Sequence, residues 1–193
     1  MNLFRSTIGR ASRGVIALAV LGVLTLGACG SDSKKSAPQP KDATTLLDKA
    51  MAEHLAGKLP QAEQDYTQLI RSDPQNKYAY YNLGLIFQTE HRAADAENQY
   101  RLVLTIDTKY EPALYNLALL RTAANDPESA TDLYRRAIAV SPKDANARFN
   151  LGLLLLKNGK TLEGDRQIQQ AVALDATLRN KATAVGVPLR PKS

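Results

Sequence analysis

The sequence contains no tryptophan, one cysteine, two methionines and two histidines among 193 residues. A lone cysteine, Cys29, excludes an intramolecular disulfide. His54 and His91 are too few and too scattered to suggest an imidazole-based metal site, and no His-Glu-x-x-His, Gly-x-Ser-x-Gly or glycine-rich phosphate loop occurs. Catalysis needs a nucleophile, a base or a metal held by partners. The carboxylates are instead spread as on solvated helix faces. The sequence therefore offers no catalytic residue, no metal ligands and no cofactor motif, and a non-enzymatic protein is expected.

A basic stripe on the folded part is also missing. The formal net charge is +6, but residues 43–178 hold 15 basic and 17 acidic residues. The excess sits at the ends: Arg5, Arg10 and Arg13 at one, Arg179, Lys181, Arg190 and Lys192 at the other. Nucleic-acid binders carry their positive charge on the domain that grips the phosphates, so no nucleic-acid partner is expected.

Long apolar runs are absent except for one. Val15 to Leu26 is uninterrupted by charge, follows the three arginines, and is too short to span a bilayer comfortably. Gly27, Ala28 and Cys29 follow. The run Leu26-Gly27-Ala28-Cys29 resembles the lipobox of bacterial lipoproteins. That resemblance implies a signal peptide over 1–28, lipidation of Cys29, and export to the outer face of the cytoplasmic membrane, or to an outer membrane if the cell has one. Two acyl chains make a lasting anchor, at about 0.8 kcal/mol per buried methylene. Residues 29–42 then read as the lipidated cysteine and a polar tether; twelve such residues reach roughly 20 Å as a coil.

What is abundant is repetition. Tyr81-Asn82-Leu83-Gly84 returns as Tyr115-Asn116-Leu117-Ala118 and as Phe149-Asn150-Leu151-Gly152, each step being 34 residues. Four rows without insertions follow: 43–76, 77–110, 111–144 and 145–178. Position 8 of each row is small (Ala50, Gly84, Ala118, Gly152), as is position 20 (Ala62, Ala96, Ala130, Gly164). Position 24 is large (Tyr66, Tyr100, Tyr134, Ile168), and apolar residues recur at position 28 (Ile70, Leu104, Ile138, Val172). Small residues let two helices approach closely, and the large group fills the space beside them. Position 15 holds Gly57, His91, Asn125 and Gly159, types that tolerate a left-handed backbone at a helix end. Pro74 and Pro142 mark second-helix stops in rows one and three.

Over 43–178 this pattern resembles the tetratricopeptide-repeat (TPR) family. The resemblance implies an all-α fold, a right-handed α-solenoid of about four helix-turn-helix repeats. Lys49 and Glu53 replace expected apolar residues in row one, as an end repeat facing water would. Residues 179–193 read as a basic tail, leaving the last full helix to cap itself with Asp165, Arg166, Gln169 and Gln170.

In that family the first helix of each pair lines the concave face. Three ladders then fall on it: Tyr81, Tyr115, Phe149; Asn82, Asn116, Asn150; and Leu85, Leu119, Leu153. Asparagine amides both donate and accept, so a ladder of them can hold a peptide backbone without reading its side chains, while leucines supply affinity. The competing reading is that the ladders pack repeat against repeat. Leu47, Met51, Pro112 and Asn150 stand where a carboxylate-gripping subtype has basic residues, so that mode is not expected. The implied function is a membrane-anchored scaffold of the bacterial envelope that binds a protein or peptide. An assembly or piloting factor of an envelope or pilus complex is the first alternative, and a small-solute lipoprotein the second.

Overall fold

The computed structural model describes residues 40–189. Eight helices come first: α1 (Pro40–Leu55), α2 (Leu59–Ser72), α3 (Lys77–Thr89), α4 (Ala93–Ile106), α5 (Glu111–Ala123), α6 (Pro127–Val140), α7 (Ala145–Lys157) and α8 (Thr161–Leu174). A 3₁₀ turn, Ala176–Leu178, leads into a short α9, Arg179–Ala184. The signal segment and Cys29 lie outside the described residues. Among the described residues no helix is long and apolar enough to cross a membrane. The helices fall on the 34-residue frame as four hairpins, each packed on its successor, and together they form an all-helical solenoid of TPR type.

The turns are set where position 15 permits. Gly57, His91, Asn125 and Gly159 all take positive φ, between 57° and 75°. In each case the next residue's N–H returns to the carbonyl five residues back, for example Arg92 N to Phe87 O at 2.8 Å and Lys160 N to Leu155 O at 2.9 Å. This is the Schellman ending, which satisfies carbonyls that the helix leaves open. The second-helix stops do not depend on proline. α4 and α8 end in the same register as α2, although Thr108 and Ala176 stand where Pro74 does. Aspartate does the work: Asp73, Asp107 and Asp175 each accept from the backbone N–H two residues on, at 3.2, 3.0 and 2.9 Å. Such turns divert the chain from helix by satisfying its donors locally.

Within each hairpin, positions 8 and 20 are contact points and position 24 fills the gap. A Cβ on Gly84 would lie 2.4 Å from the Tyr100 ring, and one on Gly152 would lie 2.5 Å from Ile168. Tyr66, Tyr100, Tyr134 and Ile168 are buried. The sequence reading placed the rest of the apolar stripe at position 28, where Val172 is buried but Ile70, Leu104 and Ile138 are only half-buried. Position 27 is the deeper one: Leu69, Val103, Ala137 and Ala171 are fully buried. Positions 20, 24 and 27 are i, i+4 and i+7, one face of a helix, and position 28 lies at its edge.

The two ends are closed differently. In repeat one, Lys49 Nζ lies 2.6 Å from Asp65 Oδ2 and 3.6 Å from Glu53 Oε1. Lys49 and Glu53 occupy the register of Leu83 and Phe87, which belong to the buried core of the solenoid. At the other end the chain does not trail away as the basic tail that the sequence suggested, and α8 does not cap itself. Leu178, Ala182 and Val187 are buried against Ile168, Ala171, Val172 and Phe149. Gln169 Nε2 donates to Pro188 O at 2.9 Å, tying the last described residues to α8.

Candidate functional site

The helical frame brings the three ladders onto the first helices α3, α5 and α7, one rung per repeat. Their chemistry is shared between repeats. Asn116 Nδ2 donates to Tyr81 Oη at 3.1 Å, and Asn150 Nδ2 donates to Tyr115 Oη at 2.8 Å. Each link joins an asparagine to the tyrosine of the preceding repeat. Asn82 has Leu47 in that place and donates instead to its own helix, to Tyr78 O at 2.8 Å. Phe149 ends the series, and no asparagine lies 35 residues beyond it to require a hydroxyl. A packing role for these residues is therefore visible in the geometry. Burial pushes the Tyr81 and Tyr115 hydroxyls above their ordinary pKa; in both, the donated amide hydrogen works in the opposite direction.

The packing role does not exhaust the asparagines. An amide has two N–H donors and a carbonyl with two lone pairs, and the tyrosine takes one donor. Asn116 and Asn150 are half-buried, so the remaining capacity lies at the surface of the fold. The leucine ladder is partly spent as well. Leu85, Leu119 and Leu153 are half-buried and lean on the core, whereas Met51, the same position in repeat one, is 42% exposed. Phe149 is buried.

Beside the ladders lies an aromatic wall that the sequence reading did not single out. Tyr110 stands edge-on to Tyr81, with ring centroids 5.3 Å apart, and edge-on to Tyr78 at 6.2 Å. Edge-to-face pairs at this spacing are favourable beyond the area they bury. Lys77 Nζ sits 5.2 Å from the Tyr110 ring and is fixed by Asp107 at 2.6 Å. Tyr78 and Tyr110 stand outside the ladder positions, and only the run Tyr78 to Tyr81 hinted at a concentration of rings. Next to them, burial first and Asp144 second push the Glu111 carboxyl up to about 7. Asp144 itself caps α7, accepting from Asn146 N and Ala147 N.

Among the described residues no group of three or more His, Cys, Asp or Glu is arranged to hold a metal ion. The arrangement places amide and hydroxyl groups and rings on successive first helices, with Lys77, Asp107, Glu111 and Asp144 at its margin.

The comparisons with known proteins agree with this reading of the fold. Residues 47–111 match a family model described as tetratricopeptide repeat, and residues 120–159 match one described as TPR repeat. Together the two segments cover more than half of the chain. No curated protein sequence matches. Among solved structures, MamA protein is 20% identical with a TM-score of 0.70, over 77% of this chain and 81% of that one. YrrB, described as a TPR protein with an unusual peptide-binding site, is 21% identical with a TM-score of 0.65, over 70% of each chain. The first TPR of Spaghetti (RPAP3), bound to an HSP90 peptide, is 22% identical with a TM-score of 0.60, over 64% of this chain and 98% of that one.

Proposed function

We propose that this chain, which belongs to the tetratricopeptide-repeat family, is a membrane-anchored scaffold that holds a peptide segment of a partner protein against the faces of α3, α5 and α7. The observation that carries this is the surface itself. The resemblance to the family assigns positions 2, 5, 6, 9, 12 and 13 of each row to the concave face, and across repeats two and three these hold no charged residue. Surface helices normally place charge towards solvent. A face kept neutral, with leucines half-open and amide capacity to spare, suits a backbone and apolar side chains. The peptide-binding described for YrrB and for the Spaghetti domain supports the same use of the fold.

The anchor completes the reading. Lipid on Cys29 would hold the solenoid at the envelope surface, with the polar tether between. The test of the anchor is Cys29→Ser: the variant is expected in the soluble fraction of exported protein, and continued membrane association overturns the lipoprotein reading. The test of the face is capture from native membranes. Crosslinking and pull-down with wild type should yield one or a few envelope proteins that are lost from Leu119→Asp with Asn116→Ala. Circular dichroism must show the variant still helical. A central anchor of an interface commonly costs about 2 kcal/mol or more when removed. The same proteins captured by both chains would move binding to another surface.

A further inference from the structure

Repeat three breaks the packing rule of its neighbours at one residue. Position 11 is apolar in repeats two and four, where Phe87 and Leu155 are 7% and 1% exposed. In repeat three it is Arg121, whose side chain is 20% exposed. A guanidinium at a packing position loses hydration and must be paired to be tolerated. Arg121 is paired with Glu97 of α4 and approaches Asp126 at 3.6 Å.

Beside it opens a groove of about 520 Å³ lined by residues of α4, α5 and α6. Leu104, Leu117 and Leu133 make its apolar part, and Arg101, Arg121 and Arg136 are its cations. The volume falls within the roughly 300–1,000 Å³ typical of ligand sites. Its charges are unevenly matched. Glu97 Oε1 serves two guanidiniums at once, Arg101 at 2.8 Å and Arg121. Arg136 has only Asp132, at 3.6 Å and largely exposed, and Thr108 O at 3.5 Å. Three arginines and one carboxylate, Asp132, thus line the groove, and Glu97 is shared by two of the three. In repeat two the comparable position is filled by Phe87, and the Arg92 guanidinium lies over its ring at 4.0 Å.

We propose that this outer groove is a second docking site, which takes an acidic segment of a partner protein carrying an apolar side chain. The side chain rests on Leu104, Leu117 and Leu133, and flanking carboxylates meet Arg101, Arg121 and Arg136. Charged pairs of this kind set which partner is accepted more than how tightly it is held. A phosphate polymer makes poor use of the three leucines and meets a body with 17 acidic residues against 15 basic ones. The site is chemically unlike the uncharged face of α3 and α5, so one solenoid presents two surfaces of different selectivity.

The test uses the purified full chain and a fluorescein-labelled peptide, Glu-Leu-Glu-Glu-Leu-Glu, with its glutamine twin as control. Anisotropy should saturate with the acidic peptide, and the twin should bind at least tenfold more weakly. Raising salt from low to high should weaken the acidic complex severalfold. Arg121→Leu restores the residue type of repeat four; it is expected to fold, to melt at a higher temperature, and to lose at least tenfold in affinity. If that variant fails to fold, Arg101→Gln with Arg136→Gln, both on exposed side chains, must show the same loss. Arg135→Gln removes the same charge beside Arg136 but outside the groove lining, and keeps the affinity. Equal binding of both peptides, undiminished binding by the folded Arg121→Leu chain, or no saturation up to millimolar peptide overturns the proposal. So does Arg121-dependent binding to phosphatidylglycerol vesicles in place of the peptide.

Discussion

The first and last repeats face the same problem and solve it in different ways. A repeat in the middle of a solenoid buries both of its sides, but an end repeat has one side with no neighbour. Repeat one changes its own residues: Lys49, Glu53 and Asp65 form an ionic cluster where the other repeats, Arg121 of repeat three excepted, place apolar or neutral groups. Repeat four keeps its apolar side and covers it with α9 and the residues around it. The first solution costs little to expose and yields little when buried. The second is a small core of its own, and the loss of one residue from it is felt by α8. The N-terminal end is therefore expected to be the softer of the two, and its charges the cheaper to remove.

Leu178→Ala should show the largest effect. It removes a buried side chain from the cluster around Ile168 and Val172 and leaves a cavity, which costs about 3 kcal/mol. Because repeats couple chiefly to their neighbours, hydrogen exchange should accelerate in α7 and α8 and stay unchanged in α1 and α2. Uniform acceleration along the chain would show that the ends are not independent. Asp65→Ala is the matching change at the other end and should cost about 1 kcal/mol, the worth of one charge-assisted hydrogen bond to a solvated partner. Lys49→Ala should lower stability further than Asp65→Ala does, because it takes the lysine partner from the buried Asp65 carboxylate. A thermal melt of the three variants orders them, and a reversal of the last two breaks the account of the ionic cap.

The same contrast governs what the sequence could disclose. The polar cap was legible because it breaks a period: Lys49 and Glu53 are conspicuous against Leu83 and Phe87. The apolar cap was not, because α9 lies beyond the last period, and a segment with two basic residues, Gly186 and Pro188 carries no helical signal strong enough to outweigh its length. Position 15 could be read from residue type alone, since few residues accept positive φ. The stops at Asp107 and Asp175 went unread because the rule applied was the proline rule, while the chain uses the aspartate side chain. The ladders could be placed on one face by spacing. Their hydrogen bonds could not, because the pairing of Asn116 with Tyr81 runs between repeats and depends on how far one hairpin slides along the next. Arg121 was hidden for the opposite reason: an arginine on a helix reads as solvated until the fold shows that its neighbours at the same position are buried.

Between the two ends the links of the ladder should be worth less than a core leucine. Tyr81→Phe and Asn116→Ala form a double-mutant cycle whose coupling is expected near 1 kcal/mol, as for a partly buried hydrogen bond. The pair Leu47 and Asn82, at the edge of repeat one, supplies the control, since no such bond is made there and no coupling should be found. A zero coupling for Tyr81 and Asn116 would remove the packing role and return the asparagines wholly to recognition.

The smallest effect should come from Glu111, which faces a second carboxylate, Asp144, where Asp65 in repeat one faces a lysine. Burial and the neighbouring Asp144 raise its folded pKa from 4.5 to about 7. Between these values the folded chain binds a proton that the unfolded chain does not, so stability is gained as pH falls from 7 towards 4.5 and lost as pH rises through 7. Because the side chain is partly solvated, screening reduces the effect to about 1 kcal/mol or less. Glu111→Gln should flatten this part of the stability profile and leave the variant more stable than wild type at pH 8, read by denaturant melts at pH 5, 7 and 8. An unchanged slope would mean that the proton is held elsewhere. A flattened slope would show that the junction of repeats three and four, unlike the ionic cap of repeat one, carries a charge the fold does not compensate.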